Sequence, residues 1–123
     1  MKLKDQVVSL KLAKKLKDLG VKKSESIFLW GLDVVEGWCI SLREIQEPDT
    51  KDCIAAFTVA EMGEMLPKGY RSYFYDEHPS GGTWLCNNGE NVGSAHKTEA
   101  DSRAAMLIHL IEQGLIPPQE AKA

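Results

Sequence analysis

Residues 97–118, KTEADSRAAMLIHLIEQGLIPP, constrain the fold more than any other stretch, because a helix start, an apolar interior and a stop follow one another within them. Thr98 is suited to be an N-cap, accepting from the backbone N–H of Asp101, and Glu99 and Asp101 place negative charge where the helix dipole favours it. Gly114 tolerates the left-handed conformation that ends a helix. Leu115 and Ile116 follow it, placed for a hydrophobic contact back onto the last turn, and Pro117 and Pro118 cannot continue the helix. Ala100, Ala104, Leu107 and Ile111 make one stripe, with Met106 and Leu110 outside it. A helix apolar on more than one side is expected to be central, touching both a sheet and another helix.

The remaining elements are read against that helix. Over residues 9–19, Leu12, Ala13, Leu16 and Leu19 recur at helical spacing while Lys11, Lys14, Lys15 and Lys17 take the other faces, and Gly20 followed by Val21 repeats the Gly114–Leu115 stop. Ser24 and Ser26 mark the next turn. Residues 27–30 form an apolar run suited to a strand buried on both faces, Gly31 and Gly37 punctuate, and Asp33 and Glu36 mark a turn between them. Trp38, Ile40 and Leu42 then alternate with Cys39, Ser41 and Arg43, the pattern of a half-buried strand that can form a hairpin with the first.

Residues 46–52, with Pro48, read as a surface loop. Thr58 and Glu61 have capping-box spacing before a short helix over 59–66, with Val59, Met62 and Leu66 on one side, and Pro67 ends it. Gly63 inside that helix weakens it or admits a close neighbour. Residues 70–75 and 83–86 read as two strands joined by the HPSGG loop, a second hairpin.

The order helix, two strands, helix, two strands, helix predicts an α+β fold: an antiparallel sheet of about four strands flanked by three helices, as a two-layer or α/β/α sandwich. At 123 residues the chain has the length of one domain, 1–123, with 43% hydrophobic and 27% charged residues, typical of a soluble globular protein. The apolar runs at 53–57 and 104–108 are too short to span a bilayer. Ser9 and Lys11 interrupt the apolar residues after MKLK before a signal sequence can form, so the expected location is the cytoplasm. Cys39, Cys53 and Cys86 are odd in number and widely spaced, which predicts reduced core thiols. Net charge is −3 but unevenly spread: residues 1–23 hold eight lysines against Asp5 and Asp18, a local +6, leaving −9 for the rest. That asymmetry has two readings, a basic binding surface or the solvated face of a helix.

Three stretches, SLKLAKKLKDLGVKKSESIFLW, AFTVAEMGEMLP and EADSRAAMLIHLIEQGLI, resemble a group of small phage- and prophage-encoded proteins. These carry a helix ending in Leu-Gly, an aromatic strand, a Thr-x-x-Glu-hydrophobic-Leu-Pro segment and a final EAxxRAxxL helix, and some resemble the phage ABA sandwich domain. The resemblance covers about half of the chain. It implies helices flanking an antiparallel sheet and a phage origin, hence the cytoplasm of a bacterial host, and it supplies no catalytic residues.

Few constellations carry chemistry. Cys86, His96 and Asp101 include the residue types of a nucleophile relay, against which Cys86 shares a strand face with Trp84, as a buried structural thiol would. Asp76, Glu77, His78 and His96 lack metal-ligand spacing, and no cofactor is implied. His109 lies in the final helix as a surface or hydrogen-bonded core residue, and Ser80-Gly81-Gly82-Thr83 lacks the lysine and helix of a phosphate loop. For nucleic acid, Lys11, Lys14 and Lys15 can meet phosphates, and Arg71, Tyr73 and Tyr75 share one strand face on which bases can stack, although the acidic remainder opposes general affinity. The leading expectation is a protein-interaction module without catalytic chemistry, its partner a phage or host protein, with a homodimer expected if edge strands or the last helix stay uncovered. Any working site is expected away from residues 97–118, on the basic first helix or on the loops at 46–52 and 77–82.

Overall fold

A computed structural model describes residues 2–21, 26–33, 35–42, 53–76, 82–90 and 93–117. The elements run α1 (Leu3–Gln6), α2 (Leu10–Asp18), β1 (Phe28–Asp33), β2 (Gly37–Leu42), β3 (Cys53–Ala56), α3 (Val59–Met65), β4 (Arg71–Tyr75), β5 (Thr83–Asn87) and α4 (Glu99–Glu112). The fold is α+β with two antiparallel sheets, one of order β2-β1-β3 and a ribbon of β4 and β5. Both expected hairpins form, with Asp33 opposite Gly37 in the first and Tyr75 opposite Thr83 in the second.

Two elements exceed the expectation of one four-stranded sheet and three helices. The apolar run at 53–57 contains β3, which pairs with β1, Leu29 opposite Ala55. All four β3 residues are buried, so the strand lacks the alternation by which a half-exposed strand is recognised. A short helix, α1, precedes the predicted one. The strands of the first sheet also differ in detail. Gly31 lies inside β1 and does not end it, Ile27 is exposed, and β2, at the edge of the sheet among the described residues, is half-buried up to Ser41 with Leu42 exposed. The turn at Ser24, the loop at 46–52 and the HPSGG tip lie outside the described residues, save Gly82.

Helix α4 is central. Seven of its residues are buried, and it packs against β5, α3, α2, β4 and α1. Ala100, Ala104, Met106, Leu107 and Leu110 join Ala13 and Leu16 of α2, Met62 and Met65 of α3, and Ile54 and Phe57 in one core. Burying a leucine or methionine side chain there is worth about 1.5–3 kcal/mol.

Both glycine stops are the same structure. Gly20 has φ 95° and Gly114 has φ 72°. Val21 N–H donates to Leu16 O and Gly20 N–H to Lys17 O, and Leu115 and Gly114 repeat the pattern on Leu110 and Ile111. The hydrophobic contacts differ. Val21 is buried, whereas Leu115 is 59% exposed and Ile116 packs on the core.

Helix starts are set by side chains. Thr58 Oγ1 accepts from Glu61 N–H at 3.2 Å and Glu61 Oε1 accepts from Thr58 N–H at 2.9 Å, a complete capping box. The second oxygen of Glu61 accepts from Ile27 N–H at 3.1 Å and so fastens the approach to β1 onto α3. Helix α2 has no side-chain cap of its own. Its N-cap residue, Ser9, instead donates its backbone N–H to Asp101 Oδ1 of α4 at 2.7 Å. A carboxylate on another helix thus takes the part that a capping-box glutamate plays from the third helical position. Val8, one residue earlier, donates to Phe57 O and accepts from Trp30 Nε1 at 3.0 Å, so residues 8 and 9 are stitched to β1, to α4 and to the link between β3 and α3.

Candidate interaction surface

The ribbon of β4 and β5 lies across α4 with one face inward. Ser72 opposes Cys86 and Phe74 opposes Trp84. Cys86 is fully buried, and the Ser72 hydroxyl accepts from Arg103 Nε of α4 at 2.6 Å, which fixes these four side chains as the inner set. By strand alternation Arg71, Tyr73 and Tyr75 occupy the other face, opposite Asn87, Leu85 and Thr83. Tyr73 and Tyr75 are 41% and 48% exposed, and Phe74, at 53%, tilts against Trp84 with ring centroids 5.2 Å apart. Its ring also lies over Gly82, where a side chain would collide with it. On the outer face, the two exposed tyrosines beside Arg71 make an aromatic patch of the kind that marks an interaction surface.

Arg103 holds this ribbon in place. Nη1 donates to Val59 O at 2.9 Å and Nη2 to Glu99 Oε2 at 3.3 Å, so one guanidinium joins α3, α4 and β4. Gly63 makes room for it: a Cβ there would strike Nη1. The close neighbour expected at Gly63 is therefore a charged fork.

The basic residues of α2 are partly engaged within the chain. Lys14 Nζ sits 5.1 Å from the Trp38 ring centroid and Lys15 pairs with Glu112 at 3.5 Å, while Lys11 is exposed. Helix α2 packs on α4 and β3, whereas β4 packs on β5 and α4, so the lysines and the Arg71/Tyr73/Tyr75 face are carried by different parts of the fold.

The relay residues have other occupations. Cys86 is enclosed, and burial pushes its thiol up to about 11, only partly opposed by the nearby Arg103 cation and reinforced by Glu99. A thiol in that state is no nucleophile near neutral pH. Asp101 accepts from Ser9, and His96 Nε2 is 2.7 Å from Ser94 Oγ. The His96 backbone pairs with Trp84. His109 is exposed on α4, and Cys39 is half-buried at β2 while Cys53 and Cys86 are core thiols. Among the described residues no three of His, Cys, Asp and Glu are grouped to hold a metal ion; Glu77 and His78 of the acidic cluster lie outside them. No helix among the described residues is long and apolar enough to cross a membrane.

A cleft of about 280 Å³ opens beside the start of α4, lined by Asp5, Val59, Trp84, Lys97, Thr98 and Glu99. Two of its polar residues serve the fold, since Thr98 caps α4 and Glu99 pairs with Arg103.

The sequence pattern places Arg71, Tyr73 and Tyr75 on one face, as the ribbon has them. It does not disclose Arg103, whose three acceptors lie 4, 31 and 44 residues away. Compared with known protein families, curated proteins and solved structures, the chain finds no match.

Proposed function

We propose that the chain is a non-catalytic protein-interaction module of phage origin, working in the cytoplasm of a bacterial host, and that it docks its partner on the outer face of the β4–β5 ribbon. The observation that carries this reading is the exposure of Tyr73 and Tyr75 beside Arg71 and Leu85 on a ribbon braced from behind by Arg103. Tyrosine and arginine are the residue types that dominate binding hot spots, and a rigid backing reduces the entropy lost when they are immobilised. The phage origin rests on the sequence resemblance. The burial of Cys86 weighs against its use as a nucleophile.

Affinity capture from infected bacterial cells tests this, using the wild-type chain beside a Tyr73→Ser/Tyr75→Ser variant. A protein retained by the wild type and lost with the variant supports the docking face; equal retention by both refutes it. The shared face of Arg71, Tyr73 and Tyr75 also favours a second reading, a stacking platform for single-stranded nucleic acid with Lys11, Lys14 and Lys15 as phosphate contacts. The engagement of Lys14 with Trp38 and Lys15 with Glu112 weighs against it. A gel-shift titration at low salt, where the electrostatic attraction is greatest, decides it: no complex ends that reading.

A further inference from the structure

Among the described residues, strand β4 has one strand partner, and neither a strand nor an isolated bridge pairs with its other edge. Which groups line that edge follows from β5. Trp84 donates its N–H to His96 O at 2.7 Å and accepts from His96 N–H at 3.0 Å, and Cys86 O accepts from Gly93 N–H at 3.0 Å. These groups point away from β4. A residue in an antiparallel ladder sends its N–H and C=O to the same side, so Phe74–Trp84 and Ser72–Cys86 are the non-hydrogen-bonded pairs of the hairpin. Ser72 and Phe74 therefore direct their own N–H and C=O groups to the open edge, while Arg71, Tyr73 and Tyr75 bond to β5.

We propose that this edge pairs antiparallel with β4 of a second copy, about a two-fold axis at Tyr73, to make one continuous four-stranded sheet. The proposal rests on the reading of the ribbon as a docking surface and enlarges it, since the axis brings two outer faces side by side.

The register is self-complementary. With the axis at Tyr73, Ser72 lies opposite the partner's Phe74 and Phe74 opposite the partner's Ser72, which closes four main-chain hydrogen bonds from the groups already aimed outward. On the outer face Tyr73 meets the partner's Tyr73 in a close, non-hydrogen-bonded pair. Arg71 meets the partner's Tyr75 on either side of it, a cation against a ring. Moving the axis to Ser72 or Phe74 takes Arg71 off Tyr75 and leaves part of the strand unpaired.

The strand carries few of the devices that blunt an exposed edge. Arg71 is its one charged residue, Arg71–Tyr75 holds no proline, and its five residues pair without a bulge. The other strands with a single partner differ. All of β3 is buried, and Trp38 of β2 lies beneath Lys14. A five-residue strand pair buries less than a standard interface, so a weak, reversible association is expected.

Sedimentation velocity on the full chain from about 5 to about 500 µM, a range that spans weak self-association, is the first test. A concentration-dependent shift from monomer to dimer is expected, weakened at least about tenfold by Tyr73→Glu, which sets two carboxylates across the axis. Register is tested separately in a Cys39→Ser background, where the two other thiols are buried. Cα atoms in a non-hydrogen-bonded pair lie about 4.5 Å apart, within disulfide reach, so Tyr73→Cys should cross-link into a dimer under mild oxidation. Arg71→Cys, which faces the partner's Tyr75, should not. A monomer at every concentration, or equal cross-linking by both variants, overturns the proposal. A monomer that still captures a partner through Tyr73 and Tyr75 overturns the dimer and leaves the docking face standing; a dimer whose capture is indifferent to those tyrosines supports the pairing and refutes the docking face.

Discussion

Replacing Gly63 by alanine should destabilise this protein, although the same change in an ordinary helix interior stabilises. The helical gain is about 1 kcal/mol, from reduced backbone entropy in the unfolded chain. Against it stands the Arg103 fork, whose Nη1 occupies the space an alanine methyl would need and donates to Val59 O at 2.9 Å. The guanidinium is the far end of a flexible side chain and can withdraw, but withdrawal gives up a charge-assisted hydrogen bond worth about 1.5–3 kcal/mol. The bonds to Ser72 at 2.6 Å and Glu99 at 3.3 Å resist the movement further. The net expectation for Gly63→Ala is thus a loss of about 0.5–2 kcal/mol. In an Arg103→Ala background the space is empty, and the same substitution should stabilise by about 1 kcal/mol. Urea unfolding of the four proteins, followed by far-UV circular dichroism, measures both effects as midpoint shifts at constant slope. An equal stabilisation by Gly63→Ala in both backgrounds would refute the account of Arg103 as the reason for a glycine in α3.

Three further outcomes are expected. Asp101→Ala should cost about 1–3 kcal/mol by stripping the acceptor from Ser9 N–H, while Asp101→Asn, which keeps an oxygen there, should recover most of it; thermal melts compare the two. The Cys86 thiol ionises near 9.0 when unfolded and near 11 when folded, so the folded chain binds the extra proton between those values. Its contribution is intact below about pH 9 and falls as pH rises toward 11, by at most about 1.4 kcal/mol per pH unit, a slope that Cys86→Ala should lack in urea titrations. Alkylation of the native protein near neutral pH, mapped by mass spectrometry, should label Cys39 first and leave Cys53 and Cys86 protected; comparable labelling of Cys86 would contradict its burial.

What the sequence discloses is mostly local chemistry. The N-caps at Thr58 and Thr98 and the stops at Gly20 and Gly114 can be read because each is written within a few residues. Strand β3 escapes because burial on both faces erases alternation. Of the two apolar residues after Gly114, Ile116 makes the contact with the core and Leu115 stands exposed, because a glycine stop fixes the backbone and leaves the choice of neighbour to packing. The face shared by Arg71, Tyr73 and Tyr75 follows from period two alone. Which main-chain groups of β4 face outward does not, because His96, twelve residues beyond Trp84, decides it.

The contact between Ser9 and Asp101 joins positions 92 residues apart. A ribosome releases α2 into solution with only water to accept from Ser9 N–H, and supplies the Asp101 carboxylate only when α4 emerges. At ordinary elongation rates the interval is about 5–20 s. Over that time α2 is a lysine-rich nine-residue helix, too short to persist unaided. The packing of α2 is therefore closed from the C-terminal side, and a nascent chain halted before α4 should remain exposed to protease over α2.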